Sequence, residues 1–236
     1  MTENLASYAV NRGRERQQLP EEVANYVREL VLSGAVRPGE FLRMERIAEA
    51  VGVSNTPVRE GLLALRSEGF VRLEPRRGFV VAPFSRQDVR DLFWAQAQLA
   101  SELAARAAKK ISPEQIQRLE AIDEGHAQAV ADGDSDGVQA LGRTFHSEIN
   151  KAAESYRLAL LLESVVRQMP NRFYSRIEGQ VTASRERHPQ LLAALRKRDS
   201  RKARSVMQAH ILEGADHLVE ILEQRGLWDA DDVPAS

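Results

Sequence analysis

The chain has no cysteine among its 236 residues. That excludes a disulfide framework and any metal site built on thiolates, and it fits a reducing compartment. Long apolar runs are missing too. No stretch approaches the roughly 20 residues that cross a bilayer, and the N-terminal MTENLASYAVNRGRERQQ lacks the apolar centre of a signal peptide. The expectation is a soluble, cytoplasmic protein with no membrane partner. Excess charge of either sign is also absent: 33 Lys+Arg face 34 Asp+Glu, for a net of -1. Bulk electrostatics therefore does not advertise a polyanion, and any nucleic-acid partner has to be argued from local placement.

What is present is 43% hydrophobic and 28% charged residues, enough for two modest cores. Residues 1–18 are polar and aperiodic, which reads as a flexible leader with a basic tip at Arg12, Arg14 and Arg16. From Glu21 the apolar positions Val23, Val27, Leu30 and Val31 fall at helical spacing until Gly34. Pro38-Gly39 turns the chain, and a short helix from Met44 puts Ile47, Ala48 and Val51 on its inner face before Gly52 closes it. A third helix opens with Ser54 or Thr56 as N-cap and Pro57 in the first turn, and carries the stripe Val58, Leu62, Leu65. FVRLE (70–74), PRRG (75–78) and FVVA (79–82) then read as strand, turn and strand. Residues 19–84 thus spell a winged helix-turn-helix, three helices plus a β-hairpin wing.

In that motif the N-terminal residues of the recognition helix lie at base edges, with backbone N–H groups facing phosphate. Ser54, Asn55 and Thr56 suit phosphate and adenine or thymine contacts, and Arg59, one turn on, reaches guanine or phosphate. Arg76 and Arg77 beside Gly78 at the hairpin tip, with Arg43, complete the candidate DNA-binding set. Caps and solvated surface arginines would look the same in a helix that binds nothing. Residues 20–83 hold nine Arg, no Lys and nine Glu, so binding requires the cations Arg43, Arg59, Arg72, Arg76 and Arg77 to segregate onto one face. It also implies salt-sensitive affinity and two copies of the domain per site.

Residues 85–228 carry no strand signal. Ser85 to Asp88 and Ser112 to Gln115 read as capping boxes, and Asp134 and Asp199 stand where further helices can start. The pattern predicts about six helices: 86–110, 112–131, 136–153, 156–177, 181–197 and 200–225. The fold class is mainly α, a winged helix-turn-helix followed by an all-α bundle, with 229–236 as a disordered acidic tail. His146, His188 and His210 sit among core-type residues on three different helices. Spacing leaves two readings open: three unrelated half-buried histidines, or three imidazole ligands meeting in space, since none shows a chelating i, i+4 pair. His126 has no evident partner.

The run LVLSGAVRPGEFLRMERIAEAVGVSNTPVREGLLALRSEGFVRLEPRRGFVVAPF resembles the DNA-binding domain of the GntR family of bacterial transcription regulators across residues 20–84. The Ser-Gly then Pro-Gly-Glu, the Gly-Val-Ser, the Thr-Pro-Val-Arg-Glu and the wing's Arg-Gly carry the likeness. The family usually has Arg between the Ser and Thr of the turn, where this chain has Asn55. A guanine reader is exchanged for a side chain matched to adenine.

Residues 86–225 look like the FCD ligand-binding domain of the FadR subfamily. Phe145-His146, Arg187-His188 followed by Leu-Leu-Ala-Ala-Leu, and His210-Ile211 match its three metal histidines. The resemblance implies a divalent metal, Zn or Ni, on His146, His188 and His210. Its fourth ligand, an Asp one turn earlier, is Gly142 here. It also implies an effector cavity. Gln96 and Ala100 replace an Arg and Glu of many relatives, so the pocket reads as less committed to an organic acid. Gln96, Asn150 and Arg167 are the effector-binding candidates; Arg172 is a further anion partner, and Phe93 and Trp94 shape the pocket or fill the core. The implied function is a ligand-responsive repressor, not an enzyme, binding an inverted-repeat double-stranded DNA operator as a homodimer and answering to a small-molecule effector such as a carboxylate metabolite. A metal-dependent helical hydrolase and a ligandless architectural DNA binder are the competing readings.

Overall fold

Val23, Val27 and Val31 recur every four residues, and that spacing builds the buried stripe of helix α1 (Glu3–Leu32). In the computed structural model, which describes residues 3–169, 182–224 and 226–228, this helix begins well before Glu21. Residues 3–18, read as a leader from their lack of apolar period, are helical. Glu, Leu, Ala, Arg and Gln are strong helix formers, so a helix needs no apolar stripe there. Pro20 lies within it and contributes no N–H to the ladder.

Helices α2 (Met44–Val51) and α3 (Asn55–Ser67) follow, with Gly52 at φ 75° closing α2. Helices α1 and α3 approach so closely that a Cβ on Gly61 would lie 2.7 Å from the Pro20 carbonyl oxygen and 2.9 Å from a Val23 methyl. Only glycine fits. Val58, Leu62 and Leu65 complete this core. The wing is the antiparallel pair β2 (Val71–Glu74) and β3 (Gly78–Val81), with Val71 opposite Val81 and Glu74 opposite Gly78. A third strand, β1 (Phe41–Leu42), pairs with the other edge of β3 to give the order β1-β3-β2; two residues are too few for an alternation to register in the sequence.

Arg28 is buried in this unit, bonded to Asn25 and Glu68 at 2.5 Å each, with its guanidinium 5.5 Å from the Phe70 ring centre. Loss of Glu68 would leave a buried charge unpaired. Leu222, Leu227 and Trp228 belong to the same unit, and the Trp228 indole N–H donates to the Phe84 carbonyl at 2.5 Å. The helical unit comprises Arg86–Ile221; no periodicity says which core a terminal Trp joins.

The second unit is all helix among the described residues: α4 (Arg86–Lys110), α5 (Pro113–Asp132), α6 (Ser135–Ala152), α7 (Tyr156–Arg167), α8 (Thr182–Arg196) and α9 (Ser200–Gln224). These agree with the periodicity to a residue or two, except that α7 ends at Arg167 instead of continuing to 177; residues 170–181 lie outside the described part. Ser112 and Gln115 form a reciprocal capping box, at 2.9 and 3.2 Å. Asp134 accepts from the Gly137 N–H and Asp199 from the Lys202 N–H. Helix α4 packs against α6, α7 and α8, and α5 against α6 and α8. An alanine-rich buried face on α4 (Ala97, Ala100, Ala104, Ala107, Ala108) lets those neighbours close in. No helix of the described residues is long and apolar enough to cross a membrane.

Candidate functional site

Ser54 takes the N-cap position of α3, yet its hydroxyl makes no cap hydrogen bond. Thr56 lies inside the first turn. Ser54, Asn55, Thr56 and Arg59 are all exposed, while Pro57 and Val58 are buried behind them. The buried pair fixes the turn, and the polar side chains and the positive end of the helix dipole are left facing solvent. Arg43, at the N-cap of α2 with no side-chain cap bond, is exposed, as are Arg72 and Arg76. Arg76 holds φ 65° at the tip of the wing, beside Gly78 at φ 98°. Arg77 lies with its guanidinium 4.7 Å from the ring centre of Phe41. Part of its reach is committed to stiffening the wing through a cation–π contact.

In the helical unit, α6, α8 and α9 bring His146, His188 and His210 together. The Nε2 atoms of His146 and His210 are 3.2 Å apart, and one nitrogen from each of the three rings lies within 4.8 Å of the others. Burial pushes the pKa of His146 down to about 3, reinforced by His188 and His126. Burial lowers His210 in the same way, with His146 and His188 adding to it. The His146 and His210 rings are therefore neutral at pH 7, the form that ligates a metal. On the far side of His188, Asp123 Oδ1 sits 2.9 Å from Nδ1. The carboxylate anchors Nδ1–H and leaves the Nε2 lone pair for the cluster, where among the described residues it has no hydrogen bond. Three imidazoles without a thiolate suit Zn or Ni. Gly142, buried on α6 one turn before His146, adds no donor.

His126, which the sequence leaves without a partner, has its ring centre 5.2 Å from that of His188. Asp123, His126 and His188 form a second group of ligand atoms within 4.8 Å of one another. Asp123 escaped the sequence reading. Its spacing of three from His126 on α5, which puts both on one helix face, was the available signal.

His146 also lines a cavity of about 740 Å³ between α6 and α7. Gln96 and Asn150 are on its wall. Arg167 is not: it is bonded to Glu163 at 2.6 Å across one turn of α7. Phe93 is core, and Trp94, one residue on and so turned away, is 60% exposed. Arg172 lies outside the described residues.

The family model for the FCD domain matches residues 91–213, and that for the gntR family of bacterial regulatory proteins matches residues 19–81. The chain belongs to the GntR family. Among its relatives, the HTH-type transcriptional regulator McbR of Escherichia coli is 27% identical over 86% of this chain and 89% of McbR. The HTH-type transcriptional repressor RspR of the same organism is 22% identical over 92% of this chain and 96% of RspR. The solved structure of E. coli McbR/YncC covers 88% of this chain and 98% of its own, with a TM-score of 0.62 and 26% identity. This GntR protein is therefore a DNA-binding transcription regulator with an effector-binding FCD domain, rather than an enzyme. Regulators of the family bind DNA operators and effectors, typically as dimers, and FCD domains often hold metals.

Proposed function

We propose that this GntR regulator is a ligand-responsive repressor whose effector enters the cavity between α6 and α7 and whose dimer reads an inverted-repeat operator. The observation that carries it is the double membership of His146, which belongs both to the histidine cluster and to the cavity wall. A small molecule in that cavity meets whatever the histidines hold. His146, His188 and His210 would bind a divalent ion, which would supply a Lewis-acidic position for an effector oxygen or nitrogen. Asp123 keeps His188 in the ligating tautomer. Repression, rather than activation, is in keeping with the printed name of RspR.

At the DNA, Asn55 reads adenine where an Arg would read guanine, Arg59 takes guanine or phosphate, and Ser54 and Thr56 hold the backbone. Arg43, Arg76, Arg77 and the Gly78 turn contact flanking phosphates or the adjacent groove. For the effector to change operator affinity a hundredfold it must favour one arrangement of the two reading domains by about 2.7 kcal/mol. A gel shift with the DNA upstream of the chain's own gene tests the assignment. Asn55→Ala should relax the base preference at one position of each half-site, and Arg59→Ala should weaken binding by at least about tenfold. Full binding by both variants would remove α3 as the reading element.

A further inference from the structure

The histidine cluster has a second side. His188 of α8 is fully buried, and the Phe145 ring stacks on it at 4.2 Å between centres and 16° between planes, which fixes where its two nitrogens point. Nδ1 faces Asp123 of α5 at 2.9 Å, and the opposite edge of the ring is left for His146 and His210. Asp123 does not stand alone there. His126 follows it by three residues, so both lie on one face of α5. The His126 side chain is buried with its ring centre 5.2 Å from that of His188. One ligand atom from each of Asp123, His126 and His188 lies within 4.8 Å of the others.

The two donor sets around His188 differ in kind. His146, His188 and His210 offer imidazole alone, and Gly142 adds nothing to them. The carboxylate of this neighbourhood stands on the Nδ1 side. An acidic residue and a histidine at i and i+3, facing donors from another helix, is a pattern by which helical bundles hold metal ions in their cores. Two imidazoles and one carboxylate suit a divalent ion such as zinc or ferrous iron. The Asp123 side chain is 21% exposed, which gives such an ion a route in from solvent.

We propose that Asp123, His126 and His188 form a second metal site, for a divalent transition ion, and that His188 serves both sites with one ring nitrogen each. When the first site is filled, the second ion takes the place of the proton on Nδ1, which leaves to solvent, and His188 bridges the two ions as an imidazolate. That anion and the Asp123 carboxylate offset the charge that a second cation brings. The second site is the weaker of the two, because its ion displaces a proton and breaks the bond between His188 and Asp123. With one ion bound, Asp123 orients His188; with two, it is a ligand.

The test is equilibrium dialysis of the metal-free, full-length protein against rising zinc chloride, with bound zinc counted per chain by mass spectrometry. The parent should take up two ions, the second at least about tenfold more weakly than the first. His126→Phe, which keeps a buried ring, and His126→Gln should each lose the weaker ion and keep the tighter one at parental affinity. His210→Ala should instead empty the first site and retain one ion, which His126→Phe in the same chain then removes. Melting temperatures of the metal-free variants close to that of the parent show that they fold. A parent that saturates at one ion, a second ion that survives both His126 substitutions, or a His210→Ala chain that binds none overturns the proposal. A His210→Ala chain that keeps both ions would sink the first site of the functional reading and leave this one standing.

Discussion

Asp123 is not on the cavity wall, yet its carboxylate decides which nitrogen of His188 faces the other two histidines. Asp123→Asn keeps the size but can present its amide N–H₂ to Nδ1, which would turn the lone pair away from the cluster. Zinc affinity, measured by competition with a chelator, should fall roughly tenfold to a hundredfold, while the melting temperature without metal stays near that of the parent. A variant that holds zinc as tightly as the parent would show that Asp123 orients nothing. Arg76 poses the opposite case, a residue kept at some cost to the fold. Its φ of 65° is strained for a side chain with a Cβ. Arg76→Gly should raise stability by about 0.5–1 kcal/mol in urea unfolding and at the same time weaken operator binding. A gain in stability with no loss of binding would mean that the arginine has no DNA role. At this scale the sequence displayed the residues but not their meetings. Nothing in the spacing of His146, His188 and His210 says that three helices converge, and the spacing of Asp123 and His126 puts them on one face of α5 without saying that this face packs on α8 beside His188.

Helix ends were the most legible elements because their signals are local. Ser112 with Gln115, Asp134 and Asp199 each announce a helix by a side chain that satisfies a first-turn N–H, and each forms that bond. The two-residue strand β1 and the helical residues 3–18 were not legible, since one is too short for a period and the other has propensity without a stripe. Between elements, Glu102 of α4 carries a testable tie: it accepts from Arg106 at 2.7 Å one turn on and from Arg204 of α9. The bonds from Arg106 and Arg204 hold its pKa below the ordinary carboxylate value. A carboxylate with a depressed folded pKa stabilises fully above its unfolded pKa of about 4.3 and loses that contribution as pH falls through the folded value. Glu102→Gln should therefore lower the melting temperature slightly at pH 7, a cost below about 1 kcal/mol for a group this exposed, and the gap from the parent should close below about pH 4. A gap that persists into acid would assign the effect to packing instead of charge.

For the whole molecule the telling quantity is its lack of net charge, 33 cations against 34 anions. A uniformly basic DNA binder is drawn to the duplex from a distance, whereas this chain has only local cations to offer. Arg43, Arg59, Arg72, Arg76 and Arg77 are all exposed. If all five met phosphate in each of two domains, the slope of log K against log salt would be about -9, and each arginine withheld from phosphate would lessen it by about 0.9 per domain. Arg77, drawn back over Phe41, and Arg59, if it reads guanine, are the two to subtract. That leaves a slope between about -5 and -6 for the dimer. The measurement is operator affinity by fluorescence anisotropy across a salt series, repeated with Arg72→Ala, which should lessen the slope by about 1.8 for a dimer without changing which operator is preferred. A slope shallower than about -2 would mean that binding runs on neutral donors at the α3 terminus, and that the arginines of the wing and of β2 serve the fold rather than the DNA.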